Sequence, residues 1–162
     1  MIIDQKKIKI WSTIGSRATF GMALLEISKD MKDLMVLSSD VSTSAGLDRF
    51  RKMHPEKYVE IGISEQNMIG VSAGLSLSGK IVYCYGISPF VSLRVLEQIS
   101  LDLATMRANV NIVSVGAGFT YATDGPSHHG LQDLSAVLST PKRNSSVSAV
   151  SSIYSFMRNS FC

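Results

Sequence analysis

Apolar residues recur along this chain with two periods, and the periods alternate. Phe20, Leu24, Ile27 and Met31 fall at helical spacing, which predicts a helix over residues 16–31 with Ser16 as its N-cap. A short apolar run at 34–37 predicts a strand ending at Ser38-Ser39-Asp40. Residues 46–53 suit a short helix stopped near Pro55. Residues 58–63 read as the next strand. Ser64 then caps a helix running to about Ser78, with Gly79 as its stop signal. Residues 80–87 form a third strand, after which Ser88-Pro89 opens a third long helix with proline at the favoured first position. Val91, Val95, Ile99 and Leu103 lie on one face of that helix. Residues 111–115 read as a fourth strand and 131–138 as one more helix.

Helices and strands therefore alternate. Val36-Leu37, Ile81-Val82 and Ile112-Val113 have the uninterrupted apolar character of strands covered on both faces. The expected fold class is α/β, a three-layer αβα arrangement around a mostly parallel sheet with right-handed crossovers. In such sheets ligands bind at the carboxyl edge. The glycine-rich loop over residues 116–130 follows a strand and belongs to that edge. After Pro141 the character changes. The expected division is a domain over 1–141 and a serine-rich, atypical, poorly ordered tail over 142–162.

Composition narrows the class. The chain of 162 residues is 45% hydrophobic and 18% charged, enough apolar content for one cored domain. Its net charge of +3 is spread thinly, with no basic run of the kind that neutralises phosphate backbones, so nucleic acid is not an expected partner. No stretch has the length and apolarity of a membrane span, and the first residues lack a signal-peptide core, so the expected compartment is the cytoplasm. Cys84 and Cys162 give neither a disulfide framework nor a metal spacing, and Cys84, in an apolar run, reads as a buried thiol.

Polar residues gather at the predicted strand ends. Glu65 in a first helical turn needs no function, because the helix dipole favours an acid there. Its functional reading is a carboxyl buried against a ligand, where it can donate a hydrogen bond to a heterocycle nitrogen. His128 and His129 are adjacent and cannot share a helix face, so they do not make the usual helical metal pair. One of them is expected to be structural, while the other is free to hydrogen-bond a hydroxyl or move a proton. Asp124-Gly125-Pro126 is also what a plain turn looks like. Phe90 suits a core position or a stacking platform, and Arg17 either a solvated side chain or an anion clamp. Gly116-Ala117-Gly118 lacks the rest of a dinucleotide fingerprint, and no Gly-Lys-Ser/Thr phosphate loop is present.

Five segments in this order and spacing carry a resemblance: Ser16-Arg17-Ala18-Thr19-Phe20-Gly21, Ser39-Asp40-Val41-Ser42-Thr43-Ser44, Gly62-Ile63-Ser64-Glu65-Gln66-Asn67-Met68, Ser88-Pro89-Phe90 and Asp124-Gly125-Pro126-Ser127-His128-His129-Gly130. Residues from about Ile10 to Pro141 resemble the pyrimidine-binding domain of transketolase-type enzymes, a thiamine-diphosphate-binding fold. The C-terminal subunit of split transketolases is the nearest form, and 1-deoxy-D-xylulose-5-phosphate synthase is similar.

The resemblance implies roles. Glu65 matches the glutamate that hydrogen-bonds the aminopyrimidine ring nitrogen and sets the cofactor's tautomer, and Phe90 matches the aromatic that packs on that ring. Ile63 and Leu93 belong to the same cofactor pocket, with Leu93 and Leu96 standing where the family often has further aromatics. Asp40 matches an acid near the thiazolium side. Arg17 and Ser44 match positions that hold a sugar phosphate, and Asp124 and His128 match groups that contact substrate hydroxyls and the carbonyl oxygen, His128 with a catalytic role. A histidine that transketolase carries twelve residues before the position of His128 is Gly116 here. The family's diphosphate- and metal-binding domain and its C-terminal domain are not recognisable. The resemblance thus implies a component that shares thiamine diphosphate with a separate diphosphate-binding subunit, which holds the Mg2+, in a homodimer or heterotetramer acting on sugars or sugar phosphates. The alternative is a truncated, non-catalytic interaction module or remnant.

Overall fold

The strands β1 (Leu34–Ser38), β2 (Tyr58–Glu60), β3 (Ile81–Ile87) and β4 (Val110–Val115) form one parallel sheet in the order β2-β1-β3-β4. This is seen in a computed structural model, which describes residues 5–140. The tail expected over 142–162 lies outside the described residues. Val36 stands opposite Tyr58 on one side and Tyr83 on the other, and Cys84 opposite Ile112. Because the pairing is parallel throughout, all four strands end on one edge. The chain runs outward from β1 to β2 and then crosses back to β3, so the order reverses beside β1, where such sheets form a crevice.

Alternation along the strands divides the core into two layers. On one face Val36, Tyr83, Tyr85 and Val113 pack with Trp11, Phe20, Leu24 and Phe50. These come from α1 (Gln5–Thr13), α2 (Ser16–Ile27) and α3 (Asp48–Met53). On the other face Leu37, Val82, Cys84 and Ile112 pack with Met68 and Ile69 of α4 (Glu65–Leu77), and with Ile99 and Leu103. Cys84 is a free buried thiol whose pKa burial pushes up to about 12, against the opposing hydrogen bond shared with Ser72. Among the described residues no helix is long and apolar enough to cross a membrane.

Four local expectations change. The helix α1 was not expected, because Ile8 and Ile10 alternate at period two and stay exposed, leaving Trp11 as the one buried residue of this helix. Ser16 is not the cap of α2. Gly15 occupies that place at φ 80, and the Thr19 hydroxyl donates to its carbonyl. The helix ends at Ile27, with residues 28–31 turning out of it. Ser64 stands at the cap of α4 but makes no side-chain cap bond.

The largest change is after β3. No long α-helix starts at Pro89. Turns lead to one turn of helix, α5 (Leu96–Gln98), and then to a π-helix over Ile99–Thr105. The Arg94 amide reaches back five residues to the Pro89 carbonyl, and the Ser92 hydroxyl takes the Ser88 carbonyl. Each widens the winding or competes with the regular ladder. Val91, Val95, Ile99 and Leu103 are nonetheless all buried, so the apolar face was read correctly and its winding was not. At the end of the chain's described part, α6 (Asp133–Leu138) is pinned to the end of β3, where the Ser88 hydroxyl donates to Asp133 Oδ2.

Candidate functional site

Glu65 opens α4 just past the end of β2, and its side chain is only 6% exposed. An acid placed there for the helix dipole alone would stay in water. Its Oε2 instead accepts a 2.9 Å hydrogen bond from Arg94 Nη1, while Oε1 takes none among the described residues. The wide turn after Pro89 brings Arg94 to this position. Its guanidinium lies 3.9 Å from the centroid of the Phe90 ring, and its carbonyl accepts from Gln66 Nε2 at 3.2 Å. Arg94 is a site residue that the sequence reading missed. The signal was weak, because an α-helix through residue 94 would have aimed it differently.

Beyond Phe90 the contacts continue. The ring of His128 meets Phe90 edge-on at 5.0 Å, and its Nδ1 faces Ser127 Oγ at 3.0 Å. On its other side stands Tyr121 at 6.2 Å, also edge-on. The Tyr121 hydroxyl accepts a 2.5 Å hydrogen bond from Arg17 Nη2. Glu65 is thus linked to Arg17 through Arg94, Phe90, His128 and Tyr121. These side chains come from the ends of β2, β3 and β4 and from α2, which are remote in sequence and meet at one edge.

Arg17 and Ser44 are brought together by two glycines. A Cβ on Gly21 would lie 2.0 Å from the Gly46 carbonyl oxygen, so only glycine lets α2 touch the turn after β1. That contact leaves a cleft of about 380 Å³ lined by Gly15, Ser16, Arg17, Thr43, Ser44 and Gly46, among others. The cleft joins a cation, hydroxyls and the first amides of a twelve-residue helix, a set suited to an anion.

Asp40 and Ile63 stand apart. Asp40 ends the turn out of β1 at φ 59 and is exposed; Ile63 is 78% exposed. No hydrogen bond, ion pair or ring contact joins either side chain to the Glu65–Arg17 row among the described residues. Between them, Glu60 Oε1 accepts from the amides of Asp40 at 2.8 Å and Gly62 at 3.2 Å, and Oε2 accepts from the Tyr58 hydroxyl at 2.6 Å. Burial first, and the Glu60 carboxylate second, push the Tyr58 phenol up to about 12. Glu60 therefore ties the ends of β1 and β2 and fixes the backbone carrying Asp40 and Ile63. Leu93 is 40% exposed, beside Arg94. Asp124 is exposed in a short 3-10 turn. His129 packs edge-on to Phe119 at 4.9 Å, with its buried Nε2 lacking a partner among the described residues. No group of three metal-ligating side chains exists among the described residues.

Residues 12–156 match the family described as transketolase, pyrimidine binding domain. One subunit of the apulose-4-phosphate transketolase of Phocaeicola vulgatus is 39% identical over 131 residues, covering 81% of this chain and 42% of that protein. A putative transketolase C-terminal section of Methanocaldococcus jannaschii is 39% identical over 127 residues, 78% of this chain and 40% of that protein. Among solved structures, a split-gene transketolase described as an inactive β4 tetramer aligns with a TM-score of 0.65 at 34% identity, covering 75% of this chain and 39% of that one. The chain spans about two fifths of the length of these relatives.

Proposed function

The chain belongs to the transketolase pyrimidine-binding domain family, and we propose that it serves as the pyrimidine-binding component of a thiamine-diphosphate-dependent enzyme that transfers a ketol unit between sugars. The observation that carries this reading is Glu65: a buried carboxyl with one oxygen held by Arg94 and the other uncommitted, two contacts from an aromatic ring.

These residues fit the aminopyrimidine of thiamine diphosphate. Phe90 offers an apolar face and Glu65 Oε1 a hydrogen-bonding atom for a ring nitrogen, held in a fixed orientation by the bond to Oε2. When bound, the cofactor supplies the electron sink for cleaving a carbon–carbon bond. The chain's own residues bind, orient and move protons. Glu65 exchanges a hydrogen bond with the pyrimidine nitrogen. His128, against Phe90, gives or takes a proton at the substrate carbonyl oxygen, and Asp124 on the same loop holds a substrate hydroxyl. Arg17 and Ser44 hold an anionic tail in the cleft. Ile63 and Leu93 supply exposed apolar side chains for the cofactor, and Asp40 a carboxyl for its thiazolium side.

The diphosphate and Mg2+ are assigned to a separate, diphosphate-binding subunit, in a homodimer or heterotetramer. The split-gene relative, described as inactive in its β4 form, supports this division. The names of two relatives, for apulose 4-phosphate and for 6-deoxy-6-sulfo-D-fructose, support a sugar with an anionic tail. The expected compartment is the cytoplasm.

The test is reconstitution. The chain alone is expected to show no ketol transfer, and activity to appear with the diphosphate-binding subunit. Glu65→Ala in that complex should lower kcat by about a hundredfold or more with little loss of folding. Near-normal turnover of that variant would remove the role given to Glu65. Calorimetry showing no binding of thiamine diphosphate with Mg2+ in any combination of subunits would favour a non-catalytic interaction module.

A further inference from the structure

We propose that Tyr121 is a positioning residue that holds Arg17 for the anionic tail of a phosphorylated or sulfonated ketose, and so sets the preference for charged over neutral sugars. This rests on the reading of the Arg17–Ser44 cleft as the site of that tail. Nothing in the sequence pattern singled Tyr121 out.

Three observations converge on it. The first is the hydrogen bond from Arg17 Nη2 to the Tyr121 hydroxyl, with the guanidinium carbon 5.5 Å from the ring centroid. Tyr121 is not among the residues that line the cleft, whereas Arg17 is. One amino group of Arg17 is therefore occupied from outside the cleft, and its other N–H groups remain for an anion. An arginine gains most from a planar, bidentate partner when its fork is already fixed, since little side-chain freedom is then lost on binding.

The second observation is Gly116. Its φ is +83, and a Cβ built there would lie 2.0 Å from Tyr121 Cε2. The phenol lies directly against the glycine backbone, so a side chain at 116 and the ring of Tyr121 exclude each other. Glycine at 116 and tyrosine at 121 form one device, and the ring cannot swing toward 116 to release Arg17.

The third is Tyr85. Its hydroxyl is buried and has no hydrogen-bond partner among the described residues. Burial pushes its phenol up to about 12, with the Arg17 cation acting in the opposite direction and Tyr121 adding to the rise. The buried Tyr85 phenol thus lies within electrostatic reach of both Arg17 and Tyr121. The same ring of Tyr121 faces His128. Arg17 and His128 are thereby held by a common side chain, at a fixed separation between a substrate's tail and its reacting carbonyl. A neutral ketose makes no use of the guanidinium and gains nothing from its being held.

The experiment compares a ketose phosphate such as fructose 6-phosphate with neutral erythrulose, in the complex with the diphosphate-binding subunit. For Tyr121→Phe the KM for the phosphorylated donor should rise about tenfold, while kcat and the KM for erythrulose stay within about twofold. Equal rises for both donors, or no rise for the phosphorylated one, would overturn the proposal. Gly116→Ala, which displaces the whole ring, should raise the KM for the phosphorylated donor and, through the ring's contact with His128, also lower kcat for both donors, and melting temperatures identify a folding defect. A second readout needs no activity. The isolated chain is titrated with inorganic phosphate, following the Arg17 Nε–H resonance by NMR. The Kd should be about tenfold weaker in Tyr121→Phe. An unchanged Kd counts against the proposal. A wild-type complex that binds phosphate this way but transfers no ketol unit would sink the functional reading and leave the role of Tyr121 standing.

Discussion

Arg94→Ala tests the pairing at the centre of the site. In the pair Arg94–Glu65 the carboxylate side chain is 6% exposed and the guanidinium 43%. Breaking a fully buried pair costs about 3–5 kcal/mol and an exposed one about 0–1 kcal/mol. With one partner buried and the other half in water, about 2 kcal/mol is the expected cost of leaving Glu65 alone. Loss of the guanidinium 3.9 Å above Phe90 adds about 0.5–1 kcal/mol. The sum of ~2.5 kcal/mol corresponds to a fall in Tm of about 5–10 °C for a chain of this size. Glu65→Gln should cost less than about 1 kcal/mol, because its amide oxygen still accepts from Arg94 and no buried charge is left behind. The asymmetry is the signature: the exposed partner matters more to stability than the buried one. Urea unfolding of the two single variants and the double variant, followed by circular dichroism on the isolated chain, measures it. The double variant should be less destabilised than the sum of the singles, by about 1–2 kcal/mol. An Arg94→Ala cost below about 0.5 kcal/mol, or a Glu65→Gln cost exceeding it, would refute this account of the pair.

Two further outcomes follow from contacts elsewhere. Gly21→Ala places a methyl 2.0 Å from the Gly46 carbonyl oxygen, a backbone atom that cannot rotate away. It should destabilise by about 1–3 kcal/mol in urea unfolding and abolish phosphate binding in the Arg17 cleft, and a neutral substitution would show that the helix and turn are not in contact. Glu26 accepts from Lys29 and Lys7 at 2.8 Å each, and these hydrogen bonds, Lys29 first, hold its carboxyl down to about 2 from an ordinary 4.5. Because the folded value is the lower one, the stabilisation is complete above about pH 4.5 and is lost as pH falls through about 2. The stability gap between wild type and Lys7→Met/Lys29→Met should therefore be present at about pH 6 and close by about pH 2, and a gap independent of pH would assign the lysines' effect to packing.

The layers of this fold were legible because burial is periodic. Val36-Leu37, Ile81-Val82 and Ile112-Val113 read as strands covered on both faces, and all lie in the sheet, buried except for the half-buried Ile81. Glycine at 116 was legible as a departure from the family pattern but not as a partner of Tyr121, since the ring that fills its place comes from five residues further on. The start of α2 went astray for a related reason. Gly15 at φ 80 takes the place of a cap with its backbone, so serine at 16 does not cap the helix and lines the cleft instead.

Arg94 shows where the limit lies. Helical spacing through residues 88–103 puts the right four apolar residues inside. Apolar residues tolerate an error in winding, because a buried stripe is broad and any of several pitches will bury it. A polar side chain does not. Arg94 reaches Glu65 because the chain is wound wide here, with its amide bonded to the Pro89 carbonyl five residues back. The turn arises where the hydroxyls of Ser88 and Ser92 bond Asp133 and a backbone carbonyl. The one of these contacts that ties the segment to a distant element, Asp133, is itself forty-five residues away. The segment that carries Arg94 is thus tied at its start to α6, across the return of the glycine-rich loop. Pinning α6 to the end of β3 also holds the loop that carries His128 against Phe90. Ser88→Ala should therefore disturb Glu65 and His128 together, although it touches neither, and unchanged chemical shifts of both side chains in the variant would refute the link.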